Sequence, residues 1–218
     1  MRLADLPIGR VVPLLPGHWA WARLLGEART AANAGRRAVA NRGTQAASVD
    51  LCGALAELLV LGYALRAGGG EDMRRALLLP SAPSGADLAT EDGAVDVKGH
   101  DLAPRKRLVA LNARKHRALR DAGCRYYVVV FAPPLGRRAA VSLPVPLEDA
   151  DRWPVAPLGI YGDPSHNLPI DDFARRYLPD AGPLHRLRGD VFAPIDVDRA
   201  TVSPRLRERY REVVGVAA

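Results

Sequence analysis

The middle of the chain reads as a compact α/β core, on three observations. Residues 51–65 form a helix apolar almost all round, residues 85–99 carry a β-hairpin signal, and residues 125–131 (RYYVVVF) make a near-continuous β-branched and aromatic run. A helix apolar on every side has to be buried, and a short run apolar throughout suits a central strand covered on both faces.

In chain order, the first predicted element is a short amphipathic helix over 17–33, with Trp19, Leu24, Leu25 and Ala28 on its apolar side. Residues 33–43, with two glycines and three arginines, read as a loop. The second helix has Ser48 as its expected N-cap and Asp50 in its first turn, and it stops at Gly68-Gly69-Gly70. Two short alternating segments, 85–88 and 94–99, flank Glu91-Asp92-Gly93, and Asp-Gly is the strongest short-range hairpin signal. Residues 107–122 place Leu108, Leu111, Lys115, Ala118 and Leu119 at helical spacing before Gly123, and the strand over 125–131 follows. Beyond it the texture changes, with 12 of the 18 prolines lying between Pro133 and Pro204. One strand over 139–143 and short helices over 170–177 and 204–214 are expected, the last capped by Ser203 with Pro204 in its first turn. Residues 1–47 are thus expected to be a helical extension, 48–145 the core, and 146–218 an extension packed on it.

Composition narrows the class. The chain has 218 residues, 48% of them hydrophobic and 25% charged, which is ordinary for a folded soluble protein. Its apolar stretches are far shorter than the roughly 18 residues a membrane span needs, and no basic head with an apolar run opens it, so a cytoplasmic protein with no membrane partner is expected. Cys52 and Cys124 are isolated, which implies neither a disulfide framework nor a cysteine zinc site. The formal net charge is +7, and residues 102–140 alone hold ten bases against one acid. Such a concentrated basic segment is the footprint of a polyanion partner. Of the 31 bases only Lys98, Lys106 and Lys115 are lysine. Where arginine is the default base, a retained lysine suggests a need for a compact ammonium whose pKa can be shifted.

The hairpin brings charged groups together. Strand alternation sends Val95 and Val97 one way and Asp96 and Lys98 the other. With either Asp92-Gly93 or Glu91-Asp92 as the two-residue loop, Asp87 falls on the face of Asp96 and Lys98, and Leu88 falls with the valines. Two adjacent carboxylates repel unless a cation sits between them, and they suit Mg²⁺, which keeps open positions for water and phosphate. Glu57 lies mid-helix among Gly53, Ala54, Leu58 and Leu61. Burial there calls for a partner, either an arginine or the same site.

Glu57 in an apolar helix, then Gly85-Ala86-Asp87, Asp96-Val97-Lys98, a helix with Asn112, Lys115 and His116, and an apolar strand together resemble the PD-(D/E)xK nuclease superfamily over residues 48 to 132. The resemblance implies a restriction-endonuclease-like αβββαβ core, a mixed sheet flanked by helices, here followed by a proline-rich C-terminal extension. It also implies a Mg²⁺-dependent endonuclease acting on DNA, with Mn²⁺ as an expected substitute and a homodimer as an expected assembly. Asp87 would bridge the metal, Asp96 and the Val97 carbonyl would ligate it, Lys98 would position the attacking water, and Glu57 would be an auxiliary acid. Asn112, Lys115 and His116, expected on one helix face, and the run Arg105, Lys106, Arg107 would meet DNA phosphates. Ala86 stands where the motif has proline, and Asp96 stands where glutamate is more frequent.

Competing chemistries lack their motifs. There is no G-x-x-x-x-G-K-[ST], H-E-x-x-H or G-x-S-x-G, and His18, His100, His166 and His185 are scattered without an assigned role. The remaining alternatives are a catalytically inactive DNA-binding protein on the same fold and an RNA-directed or toxin-like nuclease.

Overall fold

The computed structural model describes residues 1–33, 46–66, 85–103, 107–158, 163–200 and 204. A short strand β1 (Val11–Pro13) leads into α1 (Pro16–Asn33), and α2 (Ala46–Arg66) packs against it. The second helix begins three residues earlier than expected, at Ala46, so Ser48 lies inside it rather than capping it. Alanine is the strongest helix former and carries the helix back past the serine. The expected burial holds, with Ala54, Leu55, Ala56, Val60, Leu61 and Ala64 all fully buried.

The hairpin follows as β2 (Leu88–Thr90) and β3 (Gly93–His100). Leu88 pairs with Val95, Ala89 with Ala94 and Thr90 with Gly93, so Glu91-Asp92 is the two-residue loop. The strand expected at 85–88 starts only at Leu88, although the Asp87 N–H still donates to the Val95 carbonyl at 2.9 Å.

Residues 107–122 depart from the expected single helix. Leu108–Asn112 is a strand, β4, and only Ala113–Asp121 is helical, as α3. Val109 and Leu111 are buried while Leu108 and Asn112 are exposed, a period-2 pattern that pairing with β9 (Asp163–Pro169) selects over the helical one. Asn112 Oδ1 then accepts the Lys115 N–H at 3.0 Å and caps α3.

Strand β5 (Cys124–Phe131) lies parallel to β3 and is the middle of a mixed sheet ordered β1-β6-β5-β3-β2. Here β6 is Arg138–Val141, and β7 (Val145–Pro146) also pairs with β5. After β7 come α4 (Leu147–Asp151) and β8 (Val155–Leu158); β4, β9 and β8 form a second, antiparallel sheet. Two further α-helices, α5 (Ile170–Tyr177) and α6 (Pro194–Asp198), follow; the helix expected over 204–214, save Pro204, and the glycine stop at 68–70 lie outside the described residues.

The molecule is therefore α/β, with a mixed sheet flanked by helices. Among the described residues the order from α2 to β5 is helix, three strands, helix, strand, but the third strand belongs to the second sheet. Strand β5 is covered on both faces, as its composition requires. Val128 and Val130 join α1 and α2 in one core, while Tyr127, Val129 and Phe131 join Leu111, Leu168 and Phe173 in the other. No described helix is long and apolar enough to cross a membrane.

Candidate active site

The face of β3 turned away from α2 carries the charges. Val95 and Val97 sit with Leu88 in the first core, as strand parity demands, and Asp96 and Lys98 point to the other side beside Tyr127. Asp96 is fully buried. Its Oδ2 is ion-paired with Lys98 Nζ, and Lys115 Nζ of α3 stands 3.2 Å from its Oδ1. The Lys115 ammonium is ion-paired with Oδ1, so both oxygens of Asp96 face a lysine. Two of the three lysines thus converge on one buried carboxylate.

Asp87 enters from the other strand of the hairpin. Its Oδ2 accepts the Val97 N–H at 2.7 Å. Burial first, then the charges of Glu57 and Asp96, push the Asp87 pKa from its ordinary 3.8 up to about 7, against the opposing pull of Lys98 and the Val97 N–H. The charges of Glu57 and Asp96 therefore both reach the Asp87 carboxyl.

The two lysines respond oppositely to the same surroundings. Burial lowers the Lys98 pKa despite Asp96, while for Lys115 the charges of Asp96 and Asp87 overcome burial and raise it. Lys98 therefore gives up its proton more readily than an ordinary lysine, and Lys115 less readily.

Helix α2 lies directly on the valine-lined face of β3, and the charge of its Glu57 is felt at Asp87. A Cβ on Gly99 would stand 2.3 Å from the Cys52 carbonyl oxygen, so only glycine allows that approach. Gly26 likewise lets α1 meet the α2 backbone at Leu51. Glu57 lies about one and a half turns along α2 from Cys52. Both its oxygens are bound by the Arg29 guanidinium, which is buried in α1. Of the two readings of Glu57, the arginine partner is the one observed, and the Glu57 charge also acts on Asp87.

The expected face of Asn112, Lys115 and His116 is not formed. Asn112 precedes the helix as its cap, Lys115 reaches Asp96, and His116 turns inward, 2% exposed. The reason is the late helix start: only nine residues remain helical, and the buried side of that short helix carries His116 with Leu119. His116 Nδ1 shares a 3.0 Å hydrogen bond with Tyr127 Oη, and its Nε2 lies 2.9 Å from Asp151 Oδ1. Its ring packs at 4.6 Å from that of His166. Arg107 is exposed, and Arg105 and Lys106 lie outside the described residues.

Arg29, Asp151 and His166 were not singled out by sequence reading. For Arg29 a faint signal existed, because a buried Glu57 requires a partner; nothing local marked Asp151 or His166. Compared with protein-family models, curated proteins and solved structures, the chain matches none.

Proposed function

We propose that the protein is a Mg²⁺-dependent phosphodiesterase of the PD-(D/E)xK type acting on DNA. The observation that carries this reading is the meeting of Asp87, Asp96 and Lys98 on one face of the β2–β3 hairpin, with Glu57 brought alongside by α2. The donor set fits a hard divalent cation. Asp96 is a fully buried carboxylate whose Oδ1 is met only by the Lys115 ammonium, and Asp87 is crowded by acids whose repulsion a cation would relieve.

Asp87 and Asp96 would hold the ion, with Glu57 acting on it through the charge it already exerts on Asp87. Bound there, Mg²⁺ would polarise the scissile phosphate and acidify water. Lys98 Nζ is the group placed to take up and return a proton, because burial has lowered its proton affinity. Lys115, kept cationic beside Asp96, offsets charge that builds on the phosphate. Exposed arginines of the 102–140 segment, Arg107, Arg114 and Arg117 among them, would hold the DNA backbone with salt-dependent affinity. By resemblance the products carry 5′-phosphate and 3′-hydroxyl ends.

A second reading rests on a specific observation. Glu57 is closed by Arg29, and Asp96 is flanked by two ammoniums, the arrangement of an ion-pair network that binds DNA without cutting it. One experiment separates the two readings. Plasmid, linear duplex, branched junction, single-stranded DNA and RNA are incubated with the wild-type chain and Lys98→Ala under Mg²⁺, Mn²⁺ or EDTA. The nuclease reading expects metal-dependent cleavage that Lys98→Ala abolishes while DNA retention persists. Cleavage by Lys98→Ala at the wild-type rate, or none by the wild type with either metal, overturns it, and preference for RNA moves the substrate class.

A further inference from the structure

We propose that His116, Asp151 and His166 form a separate site for a borderline divalent cation such as Zn²⁺, fastening α3, α4 and β9 to one another. One ligand atom from each of the three residues lies within 4.8 Å of the other two, a spread that small side-chain rotations can close onto one ion. The donors, two imidazoles and one carboxylate, are those of a zinc site, whereas the Asp87–Asp96 site is built of oxygens alone.

Three features point the same way. Tyr127 Oη, 3.0 Å from Nδ1, can accept that nitrogen's proton, the orienting bond that metal-bound histidines regularly make. In that tautomer the Nε2 lone pair faces Asp151 Oδ1 at 2.9 Å, a contact that repels unless a proton or a cation lies between them. His166 Nδ1 is buried and has no hydrogen-bond partner among the described residues. Against these stands Arg120, whose Nη1 lies 3.2 and 3.0 Å from the two Asp151 oxygens and competes for them.

The site joins residues from three separate elements, and α3 also carries Lys115 to Asp96. An ion here would hold that helix in place without itself touching the hairpin acids. The inference does not depend on the phosphodiesterase reading, because it concerns different ligands and a different metal class.

The test is titration of the metal-stripped full chain with Zn²⁺ by calorimetry and with Co²⁺ by visible absorption, in millimolar Mg²⁺ to occupy the oxygen site. One equivalent should bind, with Co²⁺ bands reporting imidazole ligands. His166→Ala, at a half-buried position, should weaken Zn²⁺ by more than about 100-fold, the upper end of what losing an outer-shell partner does. Arg120→Ala, at an exposed position, should tighten it by freeing Asp151. If His166→Ala does not fold, Zn²⁺ protection of wild-type histidines from acylation replaces it as the readout. Absence of binding, affinity unchanged in His166→Ala, or no protection overturns the proposal.

Discussion

Asp87→Asn should make the protein more stable as pH rises from about 4 to 7, with the full gain held above that range. Asparagine keeps an oxygen to accept the Val97 N–H, so the substitution removes a charge and little else. The Asp87 pKa is raised from 3.8 to about 7 by burial and by its acidic neighbours. A carboxyl with a raised folded-state pKa favours folding fully below its unfolded value, and that favour is lost as pH climbs through the folded value. Three units at about 1.36 kcal/mol each set a ceiling of about 4 kcal/mol between pH 4 and pH 8. Lys98 loses a supporting charge in the variant, which returns part of the gain and leaves about 2 to 4 kcal/mol. Urea unfolding of both proteins in EDTA at pH 4, 6 and 8 reads this directly. The difference between them should be small at pH 4 and widen to its full size by pH 8. A constant difference across that range, or a variant less stable than wild type at pH 8, refutes the crowding of acids around Asp87, whatever the protein's function.

Two other substitutions probe the scaffold that delivers Glu57. Arg29→Ala strands a largely buried Glu57 carboxylate and should cost about 3 to 5 kcal/mol in chemical denaturation, with Glu57→Gln in the same chain recovering a good part of it. Gly99→Ala puts a methyl group 2.3 Å from the Cys52 carbonyl oxygen, so α2 has to lift off β3. A loss of about 1 to 3 kcal/mol should follow. By displacing Glu57 it should also lower the Asp87 pKa, visible as a shift of that carboxyl in NMR titration.

The hairpin was legible because everything that builds it is local. Strand alternation alone sorts Leu88, Val95 and Val97 from Asp87, Asp96 and Lys98, and the structure keeps Leu88 with the valines and Asp96 with Lys98, with Glu91-Asp92 as the loop. The buried helix α2, the double-faced strand β5 and the helix at Ile170–Tyr177 were equally plain from apolar pattern and length. Residues 108–112 were misread because LVALN fits either period when taken alone. Pairing with β9, distant in the chain, selected the strand, and that choice moved Asn112 into a cap and His116 into the interior. The scarcity of lysine flagged Lys98 but gave no sign that Lys115 would arrive at the same carboxylate.

What the sequence determined by itself, then, was the set of elements whose side-chain periodicity is unambiguous, together with the acids and lysine that one hairpin holds on one face. Tertiary structure decided the partners: Arg29 for Glu57, Lys115 for Asp96, and Asp151 and His166 for His116. Parity within a strand pair follows from bond geometry over a few residues, whereas these meetings depend on how closely packed backbones approach. At Gly99 and Gly26 that approach is set by the absence of a single carbon atom.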